Sequence, residues 1–216
     1  PDGKYAQISK RVKKYADIAE AEHELRLRLE ISKPQSVKLE KLITDYLKFK
    51  GEITTCQIGD GNSIRENVTI SRGTASKGKT IVGNNNLLME NMHIAHDCVV
   101  GNNCIVGNST KFAGEVTIDD NAIISATVLT HQFCKIGSYV MIQGGCRFSQ
   151  DIPPYIIAGK EPTKYCGINL VGLRRRGFSN ELIDSIHEAY RLLYSKGVLK
   201  EGIEEIKKNL ETVPKI

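Results

Sequence analysis

From Ile81 to Ile152 the chain repeats one pattern of apolar and polar positions every six residues: IVGNNN, LLMENM, HIAHDC, VVGNNC, IVGNST, KFAGEV, TIDDNA, IISATV, LTHQFC, KIGSYV, MIQGGC and RFSQDI. Eleven of the twelve second positions are apolar, Thr130 being the exception. Sixth positions after the first are small or apolar, and positions three to five carry Gly, Asn, Asp and Ser, which accept turn dihedrals. Six fits neither a helical period nor a long two-residue alternation, but it fits a short strand and a corner, repeated. Three such units close a triangular coil of eighteen residues whose inward side chains stack on those of the next coil. The pattern predicts a mainly β fold, a parallel β-helix.

The repeat extends backwards through QIGDGN, SIRENV and TISRGT, starting at Gln57. ASKGKT (75–80) lacks the apolar second position and reads as a loop thrown out at a corner, with the β-helix resuming in frame. The register gives five coils, starting at residues 57, 81, 99, 117 and 135. Residues 1–50 do not follow the hexad. Val12, Tyr15, Ile18 and Ala19 recur at helical spacing, Leu25 to Ile31 alternate, and Leu39 to Leu47 form an amphipathic stripe. We expect a helical cap over the first coil there, the β-helix over 51–154, and a C-terminal connection with helices over 155–216. In that last part residues 155–177 read as a polar connection. Ser179 then caps a helix with a stripe from Leu182 to Leu193, and a second helix runs from Glu201 to Leu210.

Charge changes this picture little. The formal net charge is +5, with no basic stripe to track phosphates, so we expect no nucleic-acid partner. No apolar run approaches the ~18 residues of a membrane span, and PDGKYAQISKRVKK is not an apolar signal segment. The expectation is a cytoplasmic protein. Four of the six cysteines (Cys98, Cys104, Cys134, Cys146) share the inward sixth position, where a thiol serves as a small hydrophobe.

The register places His96, Gly114 and Gln132 at the fourth position of successive coils on one face, with His93 and His131 beside them. Imidazoles suit zinc, but stacking at ~4.8 Å per coil puts His131 roughly 10 Å from His96, so a third ligand is wanting. General base catalysis needs one positioned imidazole, and backbone N–H groups at a bare glycine corner receive oxyanion charge. The pattern therefore favours an acyl or acetyl transferase over a structural spacer, with His96 as base and Gly114 as oxyanion donor.

Several longer motifs carry a resemblance: IGDGNSIRENVTISRGT, NNLLMENMHIAHDCVVGNNC, HQFCKIG, QDIPPYIIAG and GINLVGLRRRGFS. From Lys48 to about Leu210 the chain resembles the acyl-carrier-protein-dependent UDP-N-acetylglucosamine O-acyltransferases, which perform the first step of lipid A synthesis. The resemblance implies a left-handed parallel β-helix and a homotrimer with sites between adjacent prisms. It implies two partners, a 3-hydroxyacyl carrier protein as donor and UDP-N-acetylglucosamine as acceptor, and no cofactor or metal. His96 would take the proton of the sugar 3-hydroxyl, Asp97 would support it, and Gly114 would supply the oxyanion N–H. His93 and His131 match sugar- or acyl-contacting histidines. Lys48 matches a lysine that holds the donor or nucleotide sugar, and Asn169, Arg175 and Arg176 match nucleotide and phosphopantetheine contacts. Gly144 falls at the acyl-chain ruler.

Three features depart from the family pattern. Residues 1–50 stand where the family has further hexapeptide coils, TDYLKF replaces QDLKY before Lys48, and the helical tail ends at TVPKI where relatives continue. Glu115 and Val171 stand where some relatives carry histidine and glutamate. A sugar N-acyltransferase of the same fold, or a non-catalytic trimeric scaffold, are the alternative readings.

Overall fold

A computed structural model of the protein describes residues 51–195 and 199–209. The expected cap over residues 1–50, with Lys48, lies outside the described residues. The chain divides between Glu52 and Ile53, and the β-helix belongs to the later part.

Fifteen short strands wind through three faces. Coil one carries β1 (Thr55–Ile58), β2 (Ser63–Ile64) and β3 (Thr69–Ile70), and coil two β4 (Lys79–Val82), β5 (Leu87–Leu88) and β6 (His93–Ile94). Coil three follows with β7 (Val99–Val100), β8 (Ile105–Val106) and β9 (Lys111–Phe112), and coil four with β10 (Thr117–Ile118), β11 (Ile123–Ile124) and β12 (Leu129–Thr130). Coil five closes with β13 (Lys135–Ile136), β14 (Met141–Ile142) and β15 (Arg147–Phe148). Three parallel sheets result: β1-β4-β7-β10-β13, then β2-β5-β8-β11-β14, then β3-β6-β9-β12-β15. From Val82 to Phe148, neighbours across each sheet lie eighteen residues apart, as with Ile94 opposite Phe112 and Ile124 opposite Ile142.

The hexad works because each position has one job. Second-position side chains point inward, and Val82, Leu88, Ile94, Val100, Val106 and Phe112 are all at most 1% exposed. Fully burying such a side chain contributes about 1.5–3 kcal/mol, so the stacked column dominates stability. Cys98 and Cys104 fill the sixth position with no exposure, and burial pushes both thiols up to about 11. The fifth position turns the corner. From Gly61 to Gly145 it adopts positive φ, between 56° and 76°, in every hexad that makes a tight corner. Asn fills that place five times, since its short side chain tolerates the left-handed region.

The tight corner fails once, between β3 and β4. There residues 71–78 leave the prism, and Lys79 and Thr80 are already strand. The sequence pattern places the loop at 75–80, so the loop begins earlier than expected and ends two residues sooner. Thr80 nevertheless keeps the inward sixth position and is fully buried. In coil one the second positions Ile58 and Ile64 are 46% and 43% exposed.

The stretch 155–177 is more ordered than a polar connection. β16 (Ile156–Gly159) joins the second sheet parallel to β14, and β17 (Lys164–Ile168) folds back antiparallel. Ile156, Ala158 and Ile168 are buried and extend the core past coil five. Helix α1 (Leu170–Arg175) follows, then α2 (Asn180–Ser195) and α3 (Leu199–Asn209). Ser179 Oγ accepts the Leu182 N–H at 3.3 Å, capping α2 as its sequence predicts. Ile183, Ile186 and Tyr190 form the buried stripe of α2, and Tyr190 donates its hydroxyl to the Pro154 carbonyl at 2.7 Å. No helix among the described residues is long and apolar enough to cross a membrane.

Candidate active site

His96 and Asp97 occupy the fourth and fifth positions of the hexad that leads from β6 to β7. The corner bends at Asp97, whose φ is 61°. Asp97 is only 4% exposed, with Thr74 of the β3–β4 loop bonded to its carboxylate, while the His96 side chain stays 47% exposed. Their contact is a 2.9 Å bond between His96 Nδ1 and Asp97 Oδ2.

The buried carboxylate is well supplied with donors. Thr74 gives its N–H to Oδ1 at 2.8 Å and its hydroxyl to Oδ2 at 2.5 Å. The Asp97 N–H in turn donates to Thr80 Oγ1 at 2.8 Å. Burial pushes the Asp97 pKa up, but the two bonds from Thr74 and the contact with His96 outweigh it and hold the carboxyl below its ordinary value. An ionised Asp97 has no proton to give, so Nδ1 carries one and donates. The Nε2 lone pair is thereby directed away from Asp97 and available as a base.

The next coil supplies the floor. A Cβ on Gly114 would sit 2.5 Å from His96 Cε1 and 2.7 Å from Nε2, so any side chain there would displace the imidazole. Among the described residues the Gly114 N–H has no acceptor. Its neighbour Glu115 donates its own N–H to the His96 carbonyl at 3.0 Å, locking the two coils together. His93 lies on the third sheet between Thr69 and Lys111, with Nδ1 2.7 Å from Thr69 Oγ1. His131, two coils beyond His93, is exposed, its Nδ1 3.3 Å from the Gln132 carbonyl.

One chain does not gather every expected site residue. His96, Asp97, Gly114 and His131 sit on the corner between the third sheet and the first, with His93 in the strand leading into it. Asn169 caps α1, and its Nδ2 donates to the carbonyl of Tyr139, on the corner between the first sheet and the second. Arg176 grips that same corner through Asn121 Oδ1 at 2.7 Å and the Asn103 carbonyl at 3.4 Å, with Arg175 exposed beside it. Gly144 lies on the remaining corner, where a Cβ would come 3.2 Å from the Ala126 carbonyl oxygen. A cavity of about 740 Å³ between coil five, the β16–β17 hairpin and α2 includes none of these residues. Among the described residues no His, Cys, Asp and Glu cluster fits a metal ion.

The sequence reading missed Thr74 and Thr80 as partners of Asp97, and Ser76 and Lys77 as partners of Glu115. The signal available was the frame: Thr74 and Thr80 both fall at sixth positions.

A three-sided prism of hexapeptide coils places the chain in the hexapeptide-repeat class. Residues 79–114 match the sequence family described as bacterial transferase hexapeptide, and residues 151–216 match the second domain of UDP-N-acetylglucosamine O-acyltransferase. The acyl-[acyl-carrier-protein]–UDP-N-acetylglucosamine O-acyltransferase of Aliivibrio salmonicida is 49% identical over 169 residues, 77% of this chain and 64% of that protein. The crystal structure of a UDP-N-acetylglucosamine acyltransferase from Bacteroides fragilis is similar at a TM-score of 0.75 and 67% identity, over 79% of this chain and 66% of that one. The Francisella novicida enzyme aligns at a TM-score of 0.74 and 43% identity, over 78% and 62%. The chain belongs to the UDP-N-acetylglucosamine O-acyltransferase family, and its fold is the family's left-handed parallel β-helix. It spans 64% of the length of the curated relatives it matches.

Proposed function

We propose that this protein transfers a 3-hydroxyacyl group from acyl carrier protein to the 3-hydroxyl of UDP-N-acetylglucosamine, with His96 as general base. The observation that carries the reading is the bond from His96 Nδ1 to buried Asp97, which leaves Nε2 above Gly114. Nε2 takes the proton of the sugar hydroxyl as its oxygen attacks the thioester carbonyl carbon. The oxyanion of the tetrahedral intermediate accepts the Gly114 N–H, and collapse breaks the carbon–sulfur bond as the proton on Nε2 passes to the sulfur, releasing the carrier as its thiol. His93 and His131 flank the acceptor or the acyl group. Lys48 holds the donor or nucleotide sugar, Asn169, Arg175 and Arg176 meet the nucleotide and phosphopantetheine, and Gly144 leaves room for the far end of the acyl chain. The names of the relatives support these substrates.

We further propose a homotrimer. The site residues lie on three different corners of one prism, so only a neighbouring prism brings Arg175 and Gly144 towards a given His96. Leu129 and Phe133, on the face and corner that carry His131, are 37% and 60% exposed and offer apolar surface to such a neighbour. A cytoplasmic location fits the six unpaired cysteines.

Turnover of 3-hydroxyacyl carrier protein with a panel of UDP-sugars, followed by mass spectrometry, tests the assignment. We expect one O-acylated UDP-N-acetylglucosamine product. His96→Ala should lower turnover by a factor of ~10²–10⁴ with the trimer intact. His131→Ala should raise KM more than it lowers kcat. An H96A variant that keeps most parental turnover would sink the mechanism, and an acylated amine as product would favour the N-acyltransferase reading.

A further inference from the structure

The loop between β3 and β4 leaves the prism at the same corner as His96, one coil earlier, and returns bonds to two later coils. Thr74 clamps the Asp97 carboxylate with its N–H on Oδ1 and its hydroxyl on Oδ2. That second oxygen is the one that accepts from His96 Nδ1, so both bonds share an atom. Two residues on, Ser76 donates its hydroxyl to Glu115 Oε1 at 3.1 Å, and Lys77 Nζ lies 3.8 Å from Glu115 Oε2. Glu115 adjoins Gly114, and its side chain is 19% exposed against 60% for Lys77. The Gly78 N–H donates to the Thr74 carbonyl at 2.7 Å and closes the loop on itself.

We propose that this loop is a strap that positions the catalytic pair: Thr74 fixes the plane of the Asp97 carboxylate, and Glu115 latches the strap through Ser76 and Lys77. The chemistry requires it. A carboxylate can orient an imidazole only if its own rotation is arrested, and a partner that fixes a ligand-orienting group commonly matters by a factor of 10–100. The Thr74 N–H alone leaves Oδ2 free to swing about the Oδ1 bond. The hydroxyl removes that freedom. The latch supplies the other requirement, because an eight-residue excursion anchored only at its ends would not hold Thr74 against a buried acid. The charged and titratable groups around Asp97 and the strap include His96 and Cys98 on its own coil, Glu115 on the next, and Arg72 and Lys77 on the strap. Thr74 and Glu115 are thus positioning residues, and the inference rests on the proposed transferase reading for its effect on turnover.

Thr74→Val, Thr74→Ser and Glu115→Ala test it in the full chain. Thr74→Val should lower kcat about tenfold with KM nearly unchanged. Thr74→Ser, which keeps the hydroxyl, should stay within about twofold of the parent. Independently of activity, nitrogen-15 NMR of the imidazole Nδ1–H, assigned against H96A, should show that proton moving downfield in T74V and not in T74S, because Oδ2 loses its competing donor. Glu115→Ala, a change at the surface end of the latch, should speed amide exchange at Thr74 and Gly78 about tenfold or more while coils four and five exchange as before. A folded T74V with parental kcat and an unmoved Nδ1–H resonance overturns the role of Thr74. Unchanged exchange in E115A overturns the latch and stays decisive if T74V fails to fold. A parent with no turnover but the expected NMR and exchange changes would refute the transferase reading and leave the strap standing.

Discussion

His93 sits one strand from His96 and answers to different neighbours. Partial burial first, and then the positive charge of Lys111 on the next coil, lower its pKa from the ordinary histidine value. The neutral ring, with Nδ1 against the Thr69 hydroxyl, is therefore the form the fold prefers. The sign follows from linkage. A histidine with a depressed folded pKa contributes stability in full above its ordinary value, and that contribution is lost as pH falls through the folded value. Lys111→Met removes the cation and keeps the burial. Carbon-13 NMR titration of the His93 ring should show its midpoint rising while remaining under the ordinary histidine value, and an unmoved midpoint would remove Lys111 as a cause. The candidate residues at this scale were legible because the hexad fixes which side chains leave the prism at a corner. Their hydrogen bonds were not: Thr74 and Asp97 are 23 residues apart and Ser76 and Glu115 are 39 apart, separations on which a period of six is silent.

Among the strands, β12 holds the one polar second position. Thr130 is 5% exposed, and its Oγ1 has no partner among the described residues. Leaving a buried hydroxyl without a partner costs about 1–3 kcal/mol, whereas valine has nearly the same shape and nothing to satisfy. Thr130→Val should therefore stabilise the protein by about 1 kcal/mol in denaturant unfolding, and a destabilised variant would mean that the hydroxyl is bonded in solution. The periodicity put Thr130 inward, between Phe112 and Phe148 in the third sheet, without revealing whether it had a partner. Strands β1 to β15 followed from the repeat because every strand reuses one local solution. The β16–β17 hairpin did not, since Ile156, Ala158 and Ile168 carry no six-residue frame and are buried by the end of the prism rather than by a pattern of their own. The strap marks the intermediate case: the missing apolar position announced a loop, but the hexad frame runs it to residue 80, whereas the strand already resumes at Lys79.

At the scale of the whole molecule, the proposed site residues are spread over three corners of one prism, so the proposed trimer would complete each site between two chains. Coexpression of H96A with Arg175→Ala subunits tests this directly. Each homogeneous variant should be nearly inactive, but random mixing in a trimer would give about a quarter of the sites an intact His96 from one subunit and an intact Arg175 from the next. Recovery near that fraction is expected, and mixed trimers with no recovery would place both residues in a site built by one chain. The three-corner arrangement has another consequence, for how such a chain can change length. Removing or adding eighteen residues slides every later side chain one storey along the prism and leaves it above the same neighbours. A change of six instead turns all that follows through a third of a revolution, carrying His131 away from His96 and moving another corner into its column. Descendants of this chain can thus grow taller or shorter by whole storeys while keeping the same ground plan, whereas a single hexad gained or lost after His96 would rotate the upper building against the lower.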